Sequence, residues 1–189
     1  MTDRKTKQRL GREDWVLAAL RALVRGGLQA VKVEPLAREI GATKGSFYWH
    51  FRDLSDLHHA MLQLWEALAT TAITATVKAS GLGGRAQLML LVDMISIRPG
   101  EIYGGDAVEP ALRDWGRTDP LAQAAVERVD RQRLEDLQGF LAAAGVPDFE
   151  RVLKSHLIYA AVIGFENLRL TTGTEMQPAL RSLLERLVD

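Results

Sequence analysis

Between Thr43 and His50 the chain gathers hydroxyl, ammonium, phenol, indole and imidazole groups into eight residues, TKGSFYWH, with no aliphatic side chain among them. Thr43 is placed to cap a short helix, its hydroxyl accepting from a free amide one turn in. A helix so rich in donors suits the edges of base pairs in a DNA groove better than a protein core. Upstream, Val33, Leu36, Ala37 and Ile40 recur at intervals of three and four and share one helical face. Gly41 then stops that helix, as a left-handed cap position requires. The stretch 33–51 therefore reads as a helix, a tight turn and a second short helix. Phe47 and Phe51 read as the core residues that hold the second helix down.

Other chemistry is thinly provided for. There are four histidines, no cysteine and no glycine-rich phosphate loop. Without cysteine there are no disulfides, zinc fingers or thiol nucleophiles. His58 and His59 are adjacent and diverge around a helix, while Asp56 with His59 supplies two ligands, too few for a metal. No catalytic residue, metal or cofactor is expected, and an all-helical enzyme is the weakest reading. A helical protein-binding adaptor is the other alternative.

The formal charge of zero hides an asymmetry. Residues 1–52 hold 11 Lys and Arg against 5 Asp and Glu, and residues 53–189 hold 13 against 19. A basic head on an acidic body predicts a polyanionic partner at the head. Hydrophobic residues make up 47% of the chain, enough to build a core and to exclude a disordered protein. The N-terminus is polar and basic, with no apolar core for a signal peptide. The longest apolar stretch, Leu88 to Ile97, is interrupted by Asp93 and is too short to span a bilayer. A cytoplasmic protein with no membrane partner is expected.

Leu36-Ala37, the run Gly41-Ala42-Thr43-Lys44-Gly45-Ser46 and the run Phe47-Tyr48-Trp49-His50-Phe51 together resemble the DNA-binding region of TetR-family transcription regulators. The likeness in sequence reaches to Trp65; beyond it the likeness is one of architecture. The resemblance implies an all-α fold, with a three-helix DNA-binding head at 1–52 and an effector-binding and dimerisation bundle at 53–189. It implies a ligand-responsive repressor that binds a palindromic operator as a homodimer. It carries DNA contact to Lys32, Thr43, Lys44, Gly45, Ser46, Tyr48, Trp49 and His50. Gly45 would let the backbone approach the duplex, and Tyr48 and His50 would meet phosphates, which set register without reading bases. Two readings stand for Trp49, groove contact and packing. Two also stand for Arg4, Lys5, Lys7, Arg9 and Arg12: an arm on the DNA backbone, or a solvated tail. The chain departs from the family at Lys32, where a capping Thr is usual, and at Leu54, where a Lys is common.

Helical periodicity continues through the rest of the chain, giving nine or ten helices. One runs over 12–25 and ends at Gly26-Gly27. A long one starts at Asp53 and reaches Ala79, its β-branched segment 74–77 kept helical because no partner strand exists. The helix over 85–98 is apolar on nearly all sides and is expected in the middle of a bundle. Asp119-Pro120 opens another, Asp as cap and Pro in the first turn. It ends near 144–145, and Pro147-Asp148 opens the next. These two helices are the expected dimer face, through Val129, Leu137 and Leu141 on the first and Leu153, Leu157, Ala160, Ala161 and Gly164 on the second. An effector pocket is expected among Trp65, Met89, Tyr103, Trp115 and Tyr159, with Asp93 or Glu109 orienting a cationic or hydroxyl-bearing ligand. Arg98 is the alternative partner for Asp93. His156 is expected as a hydrogen-bonded core or interface histidine.

Overall fold

A computed structural model describes residues 10–97, 100 and 103–188. The expected arm residues Arg4, Lys5, Lys7 and Arg9, and Arg98, lie outside them. Among the described residues there are ten α-helices and no strand. They are α1 (Arg12–Gly26), α2 (Val33–Ile40), α3 (Lys44–Phe47), α4 (Leu54–Glu66), α5 (Ala72–Ala79), α6 (Gly84–Ser96), α7 (Val108–Gly116), α8 (Pro120–Ala143), α9 (Asp148–Thr172) and α10 (Met176–Leu187). A π-helical turn, Ala67–Thr71, joins α4 to α5, so 54–79 is one long rod with a single extra-wide turn. The segment 74–77 is helical, as its lack of a partner strand requires.

The head is α1 to α3. Trp15, Leu20, Leu23, Leu36, Phe47 and Phe51 are almost wholly buried in it. Trp15 meets Phe47 edge-on at 5.3 Å and Phe47 stacks on Phe51 at 5.2 Å. Such aromatic pairs add specific geometry to the burial that drives the core together. Gly41 sits at φ 68° and closes α2 in the left-handed conformation, which turns the chain sharply into α3. Arg21 and Arg25 of α1 both reach Glu39 of α2 and brace the outer side. This core continues without a break through Leu57, Met61 and Trp65 of α4 to Leu112 and Trp115 of α7 and Ala122, Ala125 and Val129 of α8. The head is thus seated on α4, α7 and the first half of α8.

A second core holds Val77, Leu88, Val92, Leu137, Phe140, Leu141, Ile158, Tyr159, Val162, Leu180 and Leu184, from α5, α6, α8, α9 and α10. Caps fix where its long helices begin. The Asp119 carboxylate accepts from the amides of Leu121 and Ala122 at 2.8 and 3.2 Å, with Pro120 in the first turn of α8.

One expectation fails here. α6 does not run through the middle of the bundle, and Gly84, Leu88 and Val92 are its only buried residues. Its apolar girth serves two partly open surfaces. Leu91, Met94 and Ile95 face an internal cavity, and Met89 and Leu90 face an outer groove with Leu82 and Ala86.

The first turn of α6 crosses the end of α8 so closely that a Cβ on Gly84 would lie 2.0 Å from the Ala143 carbonyl carbon and 2.1 Å from the Ala144 nitrogen. Backbone cannot yield as a side chain can. Gly84→Ala is expected to cost about 1–3 kcal/mol or more, the range for overpacked cores. Gly83→Ala, whose Cβ would meet nothing within 4 Å, should be near neutral. Urea midpoints of the two variants check this.

Candidate nucleic-acid interface and internal cavity

The head presents its donors outward. Thr43 caps α3 by accepting from the Ser46 amide at 3.1 Å, and the Ser46 hydroxyl donates back to the Thr43 carbonyl at 2.8 Å. α3 keeps helical geometry only through Phe47, and turns follow at Tyr48 to His50. Phe47 and Phe51 are buried, while Tyr48 is exposed and Trp49 is 88% exposed. Of the two readings of Trp49, packing within its own subunit is therefore removed. Lys32, Thr43, Lys44 and Gly45 are exposed, and Ser46 and His50 are half-buried, so none of the eight predicted contact residues is part of the buried core. Lys32 precedes α2 without a side-chain cap bond, as expected from the missing Thr.

Lys44 has a partner that sequence reasoning missed. Its ammonium donates to Glu34 of α2 at 2.7 Å, which holds the Glu34 carboxyl below its ordinary range and the lysine above its own. Both side chains are more than half exposed, so the pair is weak and open to competition from a phosphate or a base edge. Behind the head, Asp53 accepts from the Asp56 amide at 2.9 Å and caps α4. Asp56 in turn takes the Arg12 guanidinium and the Arg52 amide, both at 3.2 Å. The start of α4 is thereby bound to both ends of the head.

The other end of that rod lines a cavity of about 470 Å³. Leu64, Trp65 and Leu68, the π-turn residues Ala69 and Thr70, and Ile73 form one wall; α6, α7, α8, α9 and α10 supply most of the rest, with Leu20 of α1 and Gly100 and Tyr103 between α6 and α7. The volume suits a small organic ligand and the lining is chiefly aliphatic. Its polar end centres on Arg133 and Glu109. Arg133 donates from Nε to the Thr70 hydroxyl, from one terminal nitrogen to Glu109 Oε1 and the Tyr159 hydroxyl, and from the other to Glu109 Oε2 and the Ala69 carbonyl, at 2.9–3.2 Å. That uses all five guanidinium N–H groups. Glu109 also accepts from Trp65 Nε1 at 2.6 Å and from Arg113 at 3.0 Å. Burial opposes its ionisation, but Arg133 and these donors overcome that and hold the carboxyl below its usual range. Tyr159 donates to Asp130 at 2.6 Å and accepts from Arg113 at 2.7 Å. Burial pushes its phenol up to about 12.

Glu166 differs from these. It lines the cavity two helical turns along the same face of α9 as Tyr159 and, among the described residues, makes no side-chain hydrogen bond or ion pair. Burial, then the Glu109 charge, push its carboxyl up to about 7. Neither Glu166 nor Arg133 was found from sequence. An acidic or basic residue on a helix reads as solvated until the neighbouring helices are known to close over it.

The expected pocket residues divide. Trp65, Tyr103, Glu109 and Tyr159 line the cavity. Asp93 does not: it lies between α6 and α10, paired with Arg181 at 2.6 Å and accepting from Gln177 at 2.7 Å, half in solvent. An exposed bidentate partner is enough to keep a carboxylate in an apolar helix. Met89 faces the outer groove, on the opposite side of α6. Trp115 packs edge-on to His58 at 5.3 Å in the seam under the head.

The expected interface also divides. Val129, Leu137 and Leu141 are buried in the subunit's own cores, because the apolar stripe of α8 faces inward. On α9, Leu153 is 65% exposed and Leu157 47% exposed, and Ala160 and Gly164 are exposed beside the half-buried Ala161. Phe149 at 83% and Val152 at 55% extend that face, and neither was in the expected set. His156 lies on it, its Nδ1 donating to the Val152 carbonyl at 2.6 Å.

Comparison with known proteins agrees with this geometry. Residues 16–61 match the bacterial regulatory proteins of the tetR family. The HTH-type transcriptional regulator AcrR of Shigella flexneri is 36% identical over 66 residues, which is 34% of this chain and 31% of that one. The chain thus matches about a third of that relative's length. Over the whole fold, a putative transcriptional regulator from Saccharomonospora viridis in complex with choline aligns at a TM-score of 0.76 and 17% identity, covering 94% of each chain. The FadR regulator of Bacillus subtilis in complex with stearoyl-CoA aligns at 0.71 and 15%, covering 94% of this chain and 97% of that one. The fold and the head define a helix-turn-helix protein. Over its N-terminal region the chain is similar to the tetR family of bacterial regulatory proteins.

Two predictions follow from this geometry. Trp49→Ala and Lys44→Ala should weaken DNA binding severalfold or more with an unchanged melting temperature, since neither side chain holds the core, and Glu34→Gln should strengthen it by freeing Lys44; fluorescence anisotropy on labelled duplex reads all three. For Glu166, both states carry the proton below about pH 4.5. Between there and pH 7 the unfolded chain releases it while the fold retains it, so the stability this group confers is lost as pH rises through about 7. Glu166→Gln should therefore be more stable than wild type at pH 8, by about 1–3 kcal/mol, and no more stable near pH 4.5. Urea denaturation at the two pH values measures the difference.

Proposed function

We propose that this protein is a transcription regulator that binds a palindromic operator as a homodimer and is released from it by a small molecule. The observation that carries the reading is the surface from Thr43 to His50, donor-rich and solvent-facing over a buried Phe47–Phe51 pair. A core-facing helix would bury its indole; this one leaves it in water. In motifs of this kind the second helix enters the major groove and its N-terminal residues meet base edges.

One head makes too few contacts for a specific site. Two heads about 34–36 Å apart would read successive half-sites on one side of a duplex. The apolar outer face of α9 favours a second copy, since Phe149, Val152, Leu153 and Leu157 lie exposed in succession along it. The small residues Ala160 and Gly164 would let a partner helix approach closely.

Release by ligand is supported by the placement of α4. Its first turn is tied to the head by Asp56, which holds Arg12 and the Arg52 amide, and its last turn and the π-turn wall the cavity. A ligand that moves that wall moves the rod on which the head rides. The two ligands then oppose each other: whatever factor the effector takes from DNA affinity, DNA takes from effector affinity. That relatives of this fold are in complex with choline and with stearoyl-CoA supports a ligand in this cavity, without choosing one.

Selection of bound duplexes from a random pool tests the reading, followed by a salt series on the winner. A two-fold symmetric site and a steep fall of affinity with salt are expected, since each neutralised phosphate releases counterion. Enrichment of no duplex, or a flat salt dependence, contradicts it. Leu157→Arg should convert the dimer to monomers by sedimentation and abolish binding to the full site.

A further inference from the structure

We propose that the cavity takes a lipophilic amine, an aliphatic body carrying a protonated nitrogen, and that Glu166 is the group that receives the nitrogen. The inference rests on the reading of the cavity as an effector site and names the ligand's chemistry.

The argument is one of unfilled valences. Every charged group on the cavity wall except Glu166 is already satisfied. Arg133 has no N–H left to offer. Glu109 accepts four bonds, from Trp65, Arg113 and twice from Arg133. Asp136 holds Lys78 at 2.8 Å and Gln132 at 3.2 Å. The Tyr159 hydroxyl donates once and accepts twice. Glu166 alone, among the described residues, brings a carboxyl to the wall with nothing bonded to it. The carboxyl is half-buried and unbonded at the wall, so a ligand donor meets an open acceptor there.

The same inventory excludes other classes. A carboxylate or phosphate ligand would need cationic donors, and the one guanidinium on the wall has none free. It would also meet Glu109 and Glu166, two acids. A neutral hydrocarbon would fill the aliphatic region lined by Leu64, Leu68, Ile73, Leu88, Leu91 and Ile95, but would leave Glu166 unpaired. An alkyl chain ending in ammonium satisfies both ends at once.

The charged groups around Glu166 set how this depends on pH. From α7 they are Glu109 and Arg113, from α8 Arg133, and from its own helix Arg169, which is bonded to Asp106 and the Ser96 carbonyl. Glu109 is held below its usual range and Arg113 and Arg133 above theirs, so of these four groups only Glu166 changes ionisation between pH 6 and 8. Amine binding requires the ionised carboxylate, so affinity for an amine rises across that interval and affinity for an alcohol does not.

Isothermal titration with decylamine, decanol and decanoate, on wild-type protein and Glu166→Gln, tests the assignment. The amine should bind wild type at least about tenfold more tightly than the alcohol at pH 7.5, with decanoate weakest. Glu166→Gln should bring amine and alcohol together and flatten the rise from pH 6 to 8, while its binding of decanol shows that the cavity is intact. Tight binding of decanol or decanoate by wild type, or an amine preference that survives Glu166→Gln, overturns the ligand class and leaves an effector cavity standing. Failure of all three probes to bind wild type overturns both.

Discussion

The ion pair between Arg133 and Glu109 is the constraint around which the body is arranged. It lies between α7 and α8 and draws in Trp65 from α4, Ala69 and Thr70 from the π-turn, and Tyr159 from α9. Two charges taken out of water carry a large desolvation cost, and removing either partner would leave the other buried and uncompensated. The pair is tolerable here because the valences of both groups are filled by fixed neighbours. The result is geometric. Three helices and one irregular turn cannot shift independently without breaking bonds to a single guanidinium. The bonds to this centre therefore permit few arrangements of the elements around it.

The π-turn gains its meaning from the same pair. A widened turn in a rod is tolerated where something else holds its carbonyls and hydroxyls. Arg133 does so, through the Ala69 carbonyl and Thr70 hydroxyl. The turn stands about one helical length from Asp53, where the rod joins the head. The joint with the head and the cavity wall thus lie on one element, with the irregularity at the cavity wall.

What the sequence made legible follows from how far each feature depends on near neighbours. The head was readable because its determinants are local: Gly41 as a left-handed stop, Thr43 as a cap, and Phe47 and Phe51 four residues apart with polar groups between. The cap at Asp119 and the start at Pro120 were readable for the same reason. The cavity and the interface depend on which side of each helix its neighbours cover, and a stripe does not state that. Val129, Leu137 and Leu141 have the spacing of an interface and are core. Phe149 and Val152 look like an ordinary first turn and are exposed. Asp93 drew notice as the one acid in an apolar helix, yet its partner Arg181 lies 88 residues away on α10. Glu166 drew none, because its distinction is the lack of a partner, which only the assembled bundle reveals.

The four tryptophans fall at separate stations between the outer surface of the head and the cavity. Trp49 stands in water on the head, Trp15 lies under it, Trp115 in the seam below, and Trp65 at the cavity wall with its ring nitrogen on Glu109. Their emission colours must differ accordingly, with the red edge owed to Trp49 and the blue to the buried three. The molecule therefore carries its own optical probes, and an event at either end can be followed without attaching a dye.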